Sequence, residues 1–344
     1  MAVMRSLRFA QVASRRRTTI KDVAAATELS PAAVSYALRG LQTSPETQER
    51  VRQAADELGY TGNAVARALS RGRTGLVGVM AASLQDLGEQ RFVASLGQAL
   101  ERHDLHMVLV DAGGEPERER ALAMQLADQM VDGLVVSPLD PSDPSWVAVG
   151  EMLPVVTVGD ALPGATVGEV LFDNRAGVSL VLEHFAELGH RRVAVLTPSR
   201  PSTPERPAEQ VIDGICAALG LEATVVNSRH SIEDATMTAH ALLVQDPRPT
   251  AIFCLSDSIA CGVYAAAAQL GLSIPGDLSV AGYDDHPIAE VVSPSLTTVA
   301  WGMTEVAESA SSLLAAAVAG QPKRRGKVRV KPELVRRDST ARPA

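Results

Sequence analysis

Residues 28–40 read ELSPAAVSYALRG, and their meaning turns on which side of one short helix is left uncovered. Ser30 followed by Pro31 predicts a helix start: a serine oxygen caps free N–H groups, and proline at the first position forfeits no helical bond. One narrow apolar side carries Val34 and Leu38. Ala32, Ser35, Tyr36 and Arg39 fall at i, i+3, i+4 and i+7, so they share the other face. A smooth face ending in a tyrosine and an arginine predicts contact with a polar partner.

Two further short helical patterns flank this one. Upstream, TIKDVAAAT opens with Thr19 and Asp22 at capping-box spacing, and Ile20, Val23 and Ala24 form its apolar side. Downstream, SPETQERVRQAADELGY starts again with Ser–Pro, at Ser44 and Pro45. Val51, Ala54, Ala55 and Leu58 make its stripe, and Gly59 stands at the C-cap. Helices this short are unstable alone and must share one small core. Two of them joined by TELS, with a third bracing the pair, predict a helix-turn-helix. The face of Ala32, Ser35, Tyr36 and Arg39 would then enter a major groove about 12 Å wide. On pattern alone, a three-helix interaction domain with a solvated polar face stays open.

Charge separates this end from the rest. Residues 1–74 hold twelve Lys/Arg against six Asp/Glu, whereas the whole chain carries −8. A basic module for a polyanion, joined to an acidic body, fits that asymmetry. At 344 residues the chain exceeds one ordinary domain, and with 46% hydrophobic but 3% aromatic residues, alanine, valine and leucine must fill its core. No apolar run reaches the roughly 18 residues of a membrane helix. The basic start MAVMRSLRFAQVASRRRTT lacks a continuous apolar segment, so no secretory signal is expected. Cys216, Cys254 and Cys261 lack metal spacing and read as reduced core thiols of a cytoplasmic protein.

Beyond Gly75, apolar runs alternate with helical patterns. GLVGVMAA, MVLVDA, VDGLVVSP and PVVTVGD read as buried strands, and RRVAVLTP, ATVVN, AIFCLS and LSVAGYDD as a second series. Helices between them imply parallel sheets with right-handed crossovers. Two series in tandem predict two lobes and a cleft. Ligands of such sheets lie beyond the carboxyl ends of the strands, which singles out Ser137, Asp160, Asp173, Asn174, Ser256, Asp257, Asp284 and Asp285.

Read in order, TIKDVAAATELSPAAVSYALRG, SPETQERVRQAADELGY and NAVARALSRGRTGLVGV resemble the LacI/GalR transcriptional regulators almost end to end. VDGLVVSP, FDNRAGVSLVLEHFAELGHRRVAVL, GLSIPGDLSVAGYDD and PELVRRDST are similar to that family's effector-binding core, itself like type I periplasmic sugar-binding proteins. The resemblance implies an N-terminal all-α helix-turn-helix module plus a hinge helix, then an α/β core of two parallel-sheet lobes. The corresponding boundaries are a disordered basic leader at 1–17, the DNA-binding domain at 18–62, the hinge at 63–74 and the effector-binding and dimerisation core at 75–344. It places Ala32 and Tyr36 at base-reading positions, with Pro31 at the helix entry, and Leu69 as a hinge wedge into the minor groove. Thr19, Ser30, Ser35, Arg39, Asn63 and Arg67 complete the expected DNA-binding set.

For the effector, the resemblance matches Asp284 to an aspartate that bonds ligand hydroxyls and Ser256 to a polar contact. Phe92 resembles a ring bordering the pocket, and Trp301 falls where a lining residue is expected. Ser137, Asp173 and Arg206 complete that set. Asp284 as a plain turn cap and Trp301 as plain packing are the competing readings. The chain also departs from the pattern. Glu28 replaces a turn glycine, Arg39 an asparagine and Gly62 a proline; LGEQRF stands for Asn-Pro-Phe-Phe; Val211 takes the place of a pocket arginine, for which Arg206 is the candidate substitute.

No phosphate-binding loop, dinucleotide fingerprint, nucleophile elbow or H-E-x-x-H motif occurs, so no catalytic residue, cofactor or metal is expected. The implied partners are palindromic operator double-stranded DNA, a small-molecule effector related to sugars and a second copy of the chain in a homodimer, with no membrane. The C-terminal RRDSTARPA lacks the leucine heptads of a tetramerisation coil. A transport-type binding protein and a sugar-metabolising α/β enzyme remain the alternatives.

Overall fold

The computed structural model describes residues 18–60, 73–129, 131–162, 164, 167–198, 210–228, 231–321 and 326–344. They form two compact units that divide between Thr74 and Gly75. The expected leader and all of the expected hinge except Arg73 and Thr74 lie outside the described residues.

In the first unit, α1 (Ile20–Thr27), α2 (Pro31–Leu38) and α3 (Pro45–Glu57) surround one small core. The Asp22 carboxylate accepts from the Thr19 N–H at 2.7 Å and its hydroxyl at 2.8 Å, which closes the start of α1. Ser30 and Ser44 cap α2 and α3, each accepting from the backbone N–H three residues on. Between α1 and α2 the chain turns at Glu28, whose φ of 55° is left-handed. Val23, Val34, Ala37 and Val51 are fully buried. Leu58 departs from its expected place on the stripe and is 40% exposed. The physical reason is that α3 ends at Glu57. Gly59, at φ 61°, reverses the chain, and Tyr60 turns in to pack on the core instead.

The second unit holds two six-stranded sheets. The first has the order β11-β5-β4-β3-β1-β2, all parallel. Its strands are β1 (Leu76–Ala81), β2 (His106–Asp111), β3 (Leu134–Val136), β4 (Val155–Val158), β5 (Gly168–Phe172) and β11 (Gly326–Val330). The second sheet, β12-β10-β9-β8-β6-β7, repeats that order, with β6 (Arg192–Pro198), β7 (Glu222–Ser228), β8 (Ala251–Cys254), β9 (Ser279–Tyr283), β10 (Thr297–Ala300) and β12 (Glu333–Val335). Valine-rich central strands such as β4 are buried throughout, as a sheet covered on both faces requires.

Two expectations need correction. The sheets are not wholly parallel, because β12 runs antiparallel to β10. Nor are the lobes simple tandem halves. The chain passes from the first sheet to the second after Phe172, returns after Ala300 through the helix Met303–Val318 to β11, and crosses again to β12. A late strand is therefore needed to complete each sheet.

Candidate nucleic-acid interface and effector cleft

On α2 the buried residues Val34 and Ala37 face the bundle, while Ala32 and Tyr36 are exposed and Ser35 is half-buried. The separation follows from the helical period and from the two capped ends of the turn. The Arg39 guanidinium lies 5.3 Å from the centroid of the Tyr36 ring, and its Nε donates to the Ser35 carbonyl at 3.1 Å. Arg39 thus folds back along its own helix and braces the tyrosine, a role the residue order alone did not reveal. Thr19, Ser30 and Pro31 occupy helix-start positions. Asn63, Arg67 and Leu69 lie outside the described residues.

In the second unit, the first helix beyond β1 (Leu87–Glu101) meets the first helix beyond β8 (Asp257–Gln269) at their N-termini, both at the carboxyl ends of their sheets. Asp86 caps the first of these helices through the Gly88 N–H. The same oxygen, Oδ1, accepts from the Ser256 hydroxyl at 2.8 Å and the Ser258 hydroxyl at 2.9 Å, in the opposite lobe. The Leu87 N–H donates to Ser258 Oγ at 2.9 Å, and Arg91 donates to the Asp285 carbonyl. Ser256 is fully buried in this contact between lobes.

Beside it stand two buried carboxylates. Asp257 accepts from the Thr298 hydroxyl at 2.7 Å and the His286 N–H at 2.8 Å. Burial outweighs those two bonds, and with the charges of Asp285 and Asp86 it pushes the acid up from 3.8 to about 7. Asp284 receives the Trp301 indole N–H on Oδ1 at 3.0 Å. Its Oδ2 is solvent-inaccessible and has no hydrogen-bond partner among the described residues. Burial, followed by the charges of Asp86 and Asp257, holds this acid well above its ordinary value. Asp284 and Asp285 both have positive φ, 117° and 49°, at the end of β9. Backbone strain of this sort persists where surrounding structure enforces it.

Trp301 occupies the second lobe crossing, 4.8 Å from the Phe172 ring and 5.9 Å from Phe92. Phe92 is buried in the main core. Asp173, at the first crossing, caps the following helix through the Ala176 N–H and pairs with Arg329 at 3.5 Å. Ser137 is half-buried at the carboxyl end of β3. Arg206 lies outside the described residues. The structure therefore gathers Phe92, Ser256, Asp284 and Trp301 around one contact between lobes. Asp86, Gly88 and Ser258 belong there too, and reading the residues after every strand end, β1 included, would have found Asp86. Among the described residues, no group of three or more His, Cys, Asp and Glu is arranged to hold a metal ion, and no helix is long and apolar enough to cross a membrane.

Comparison with known proteins agrees with both units. Residues 19–63 match the model for bacterial regulatory proteins of the lacI family, and residues 182–340 match a periplasmic binding protein-like domain. The HTH-type transcriptional regulator MalR of Streptomyces coelicolor is 33% identical over 340 residues, covering 94% of this chain and 97% of its own. The ribose operon repressor of Haemophilus influenzae is 29% identical over 304 residues, covering 86% and 90%. The crystal structure of the Lac repressor dimer bound to operator and the anti-inducer ONPF superposes with a TM-score of 0.82 at 24% identity, covering 95% of this chain and all of that one, and so supports the same fold. Given a regulator one-third identical along almost its full length, and the DNA-binding match in its expected place, this chain belongs to the lacI family of bacterial regulatory proteins.

Proposed function

We propose that the chain is a sequence-specific transcriptional repressor that binds a palindromic operator as a homodimer and changes its grip when a small molecule enters the cleft between the lobes. The observation that carries this reading is the outward face of α2. Ala32 and Tyr36 stand exposed on the second helix of a three-helix unit, inside the stretch that matches the family's DNA-binding model. Small residues let the helix backbone approach the groove, and the braced tyrosine reaches base edges or phosphates. Each protomer presents one such helix, so the half-sites lie about one helical turn apart. The hinge residues Asn63, Arg67 and Leu69 extend the contact into the adjacent minor groove in this reading.

The effector reading rests on Asp284, Ser256 and Trp301 at the carboxyl ends of the sheets, where a sugar-like molecule finds hydrogen-bond partners and an indole face. A relative named for a ribose operon is consistent with a carbohydrate-like ligand. A molecule that favours one lobe arrangement by about 1–3 kcal/mol is enough to change operator occupancy. The protein then works in the cytoplasm, on the nucleoid, as a regulator without catalytic activity.

Binding to DNA from upstream of its own gene, followed by fluorescence anisotropy, tests the proposal. Affinity should fall steeply as salt rises, because phosphate contacts release counterions. Tyr36→Ala should lower binding to that fragment at least tenfold while circular dichroism stays unchanged. Equal, weak binding to all fragments by both proteins would rule out sequence-specific recognition.

A further inference from the structure

The polar groups assigned to the effector are already engaged inside the protein. The Ser256 hydroxyl has one hydrogen to give, and it goes to Asp86 Oδ1 of the opposite lobe at 2.8 Å. The Trp301 indole has one N–H, and it goes to Asp284 Oδ1. The other oxygen of Asp284 is solvent-inaccessible. Gly88 lies so close that a β-carbon built on it would sit 2.5 Å from Cγ and Oδ2 of Asp284. The segment Asp86–Gly88, where the helix Leu87–Glu101 begins, therefore covers the places at which a ligand would bond.

Ser258 is the chief clasp on this segment. Its hydroxyl donates to Asp86 Oδ1 and accepts from the Leu87 N–H, each at 2.9 Å. The side chain of Ser258 caps neither helix: Asp86 caps one through the Gly88 N–H, and Ser256 caps the other through the Ser258 N–H. Arg91, one turn further along, adds its bond to the Asp285 carbonyl.

We propose that Asp86 is an internal competitor for the effector: its carboxylate takes the Ser256 hydroxyl in the ligand-free chain, and a ligand binds only by lifting the Asp86–Gly88 segment off the opposite lobe. The inference rests on the reading that the cleft holds the effector, and it adds the residue that limits how tightly. The incoming molecule must bring an acceptor oxygen of its own for Ser256, because a buried hydroxyl without one is costly. Apparent affinity falls with the fraction of chains whose lobes are separated. Weakening the latch raises that fraction. Removing a latch contact thus tightens ligand binding, whereas removing a ligand contact loosens it.

Two measurements on the full-length chain test this. The Leu87 N–H stands at the first position of its helix, where no intrahelical acceptor exists, so its protection from hydrogen exchange reports the bond between lobes. Without ligand it should exchange at least tenfold more slowly than an unprotected amide; exchange at the unprotected rate overturns the latch. Calorimetry then follows D-ribose, D-glucose, cellobiose and lactose on the unaltered protein and on Ser258→Ala. That variant cuts two bonds between lobes and leaves both caps, Asp284 and Trp301 in place. A sugar that binds should bind Ser258→Ala ten times or more tighter, and should speed Leu87 exchange in the unaltered protein. Arg91→Ala, at an exposed position, should act in the same direction and serves if Ser258→Ala folds poorly. Equal or weaker binding to the variants, or binding that leaves Leu87 protected, overturns the competition while the effector cleft stands. If no sugar binds any of these proteins, the carbohydrate reading fails and Leu87 exchange alone decides the latch.

Discussion

Glu28 and Asp257 each show a residue held where its chemistry is least comfortable. Glu28 takes the left-handed conformation between α1 and α2, at φ 55° and ψ 34°. A side chain costs about 1–2 kcal/mol there, partly offset because glycine loses more freedom on folding. Glu28→Gly should therefore stabilise α1 and α2 by roughly 0.5–1 kcal/mol, read as slower hydrogen exchange of their amides in the full chain. Asp257 acts through its proton. Its acid is raised from 3.8 to about 7, so the folded chain keeps a proton that the unfolded chain has released. Stability from this group is complete below about pH 4 and is lost as pH rises towards 7. Asp284, raised by burial and by its carboxylate neighbours, acts in the same direction. Asp257→Asn should flatten the fall in urea midpoint across that window. An unchanged slope would mean that the carboxyl is ionised when folded.

At the scale of the element, α2 depends on its cap and the lobes on theirs. Ser30 Oγ accepts from the Ala33 N–H at 3.1 Å, and eight residues are too few for a helix to persist unaided. Ser30→Ala should cost about 1 kcal/mol and weaken operator binding without altering the groove-facing side chains. Rescue by Ser30→Asp, another good cap, separates the helix start from any direct contact of the serine with DNA. The helix Leu87–Glu101 is capped by Asp86, whose Oδ1 also serves two hydroxyls of the opposite lobe. One carboxylate thereby ties two helix starts together.

Across the core as a whole, the three chain crossings make lobe movement a matter of a few residues. Phe172, Asp173, Trp301 and Val330 stand at these passages, and the Asp173 N–H donates to the Val330 carbonyl at 3.2 Å. Asp86→Ala removes the acceptor shared by Ser256 and Ser258, at a cost of about 1–3 kcal/mol for buried hydroxyl donors that lose their acceptor. The lobes should separate more readily and the Trp301 emission should shift to the red. A spectrum like that of the unaltered protein would show that the bond does not hold the lobes.

Local patterning in the sequence determined much of the architecture. Ser–Pro pairs at 30–31 and 44–45 start helices where expected, and the apolar runs from GLVGVMAA to LSVAGYDD become strands of the two sheets. These features depend on neighbours within a few residues, through capping bonds and hydrophobic period. Asp284 was legible as a candidate because it follows a strand end, and Trp301 through the resemblance to the LacI/GalR regulators. Only tertiary structure decided that β11 completes the first sheet and β12 the second, since short strands with mixed burial carry little pattern of their own. It also decided that Asp86 meets Ser256 and Ser258 some 170 residues away, and that Gly88 lies against Asp284. Those contacts bring separate lobes together, and no periodicity along a chain encodes which side chains will meet across them.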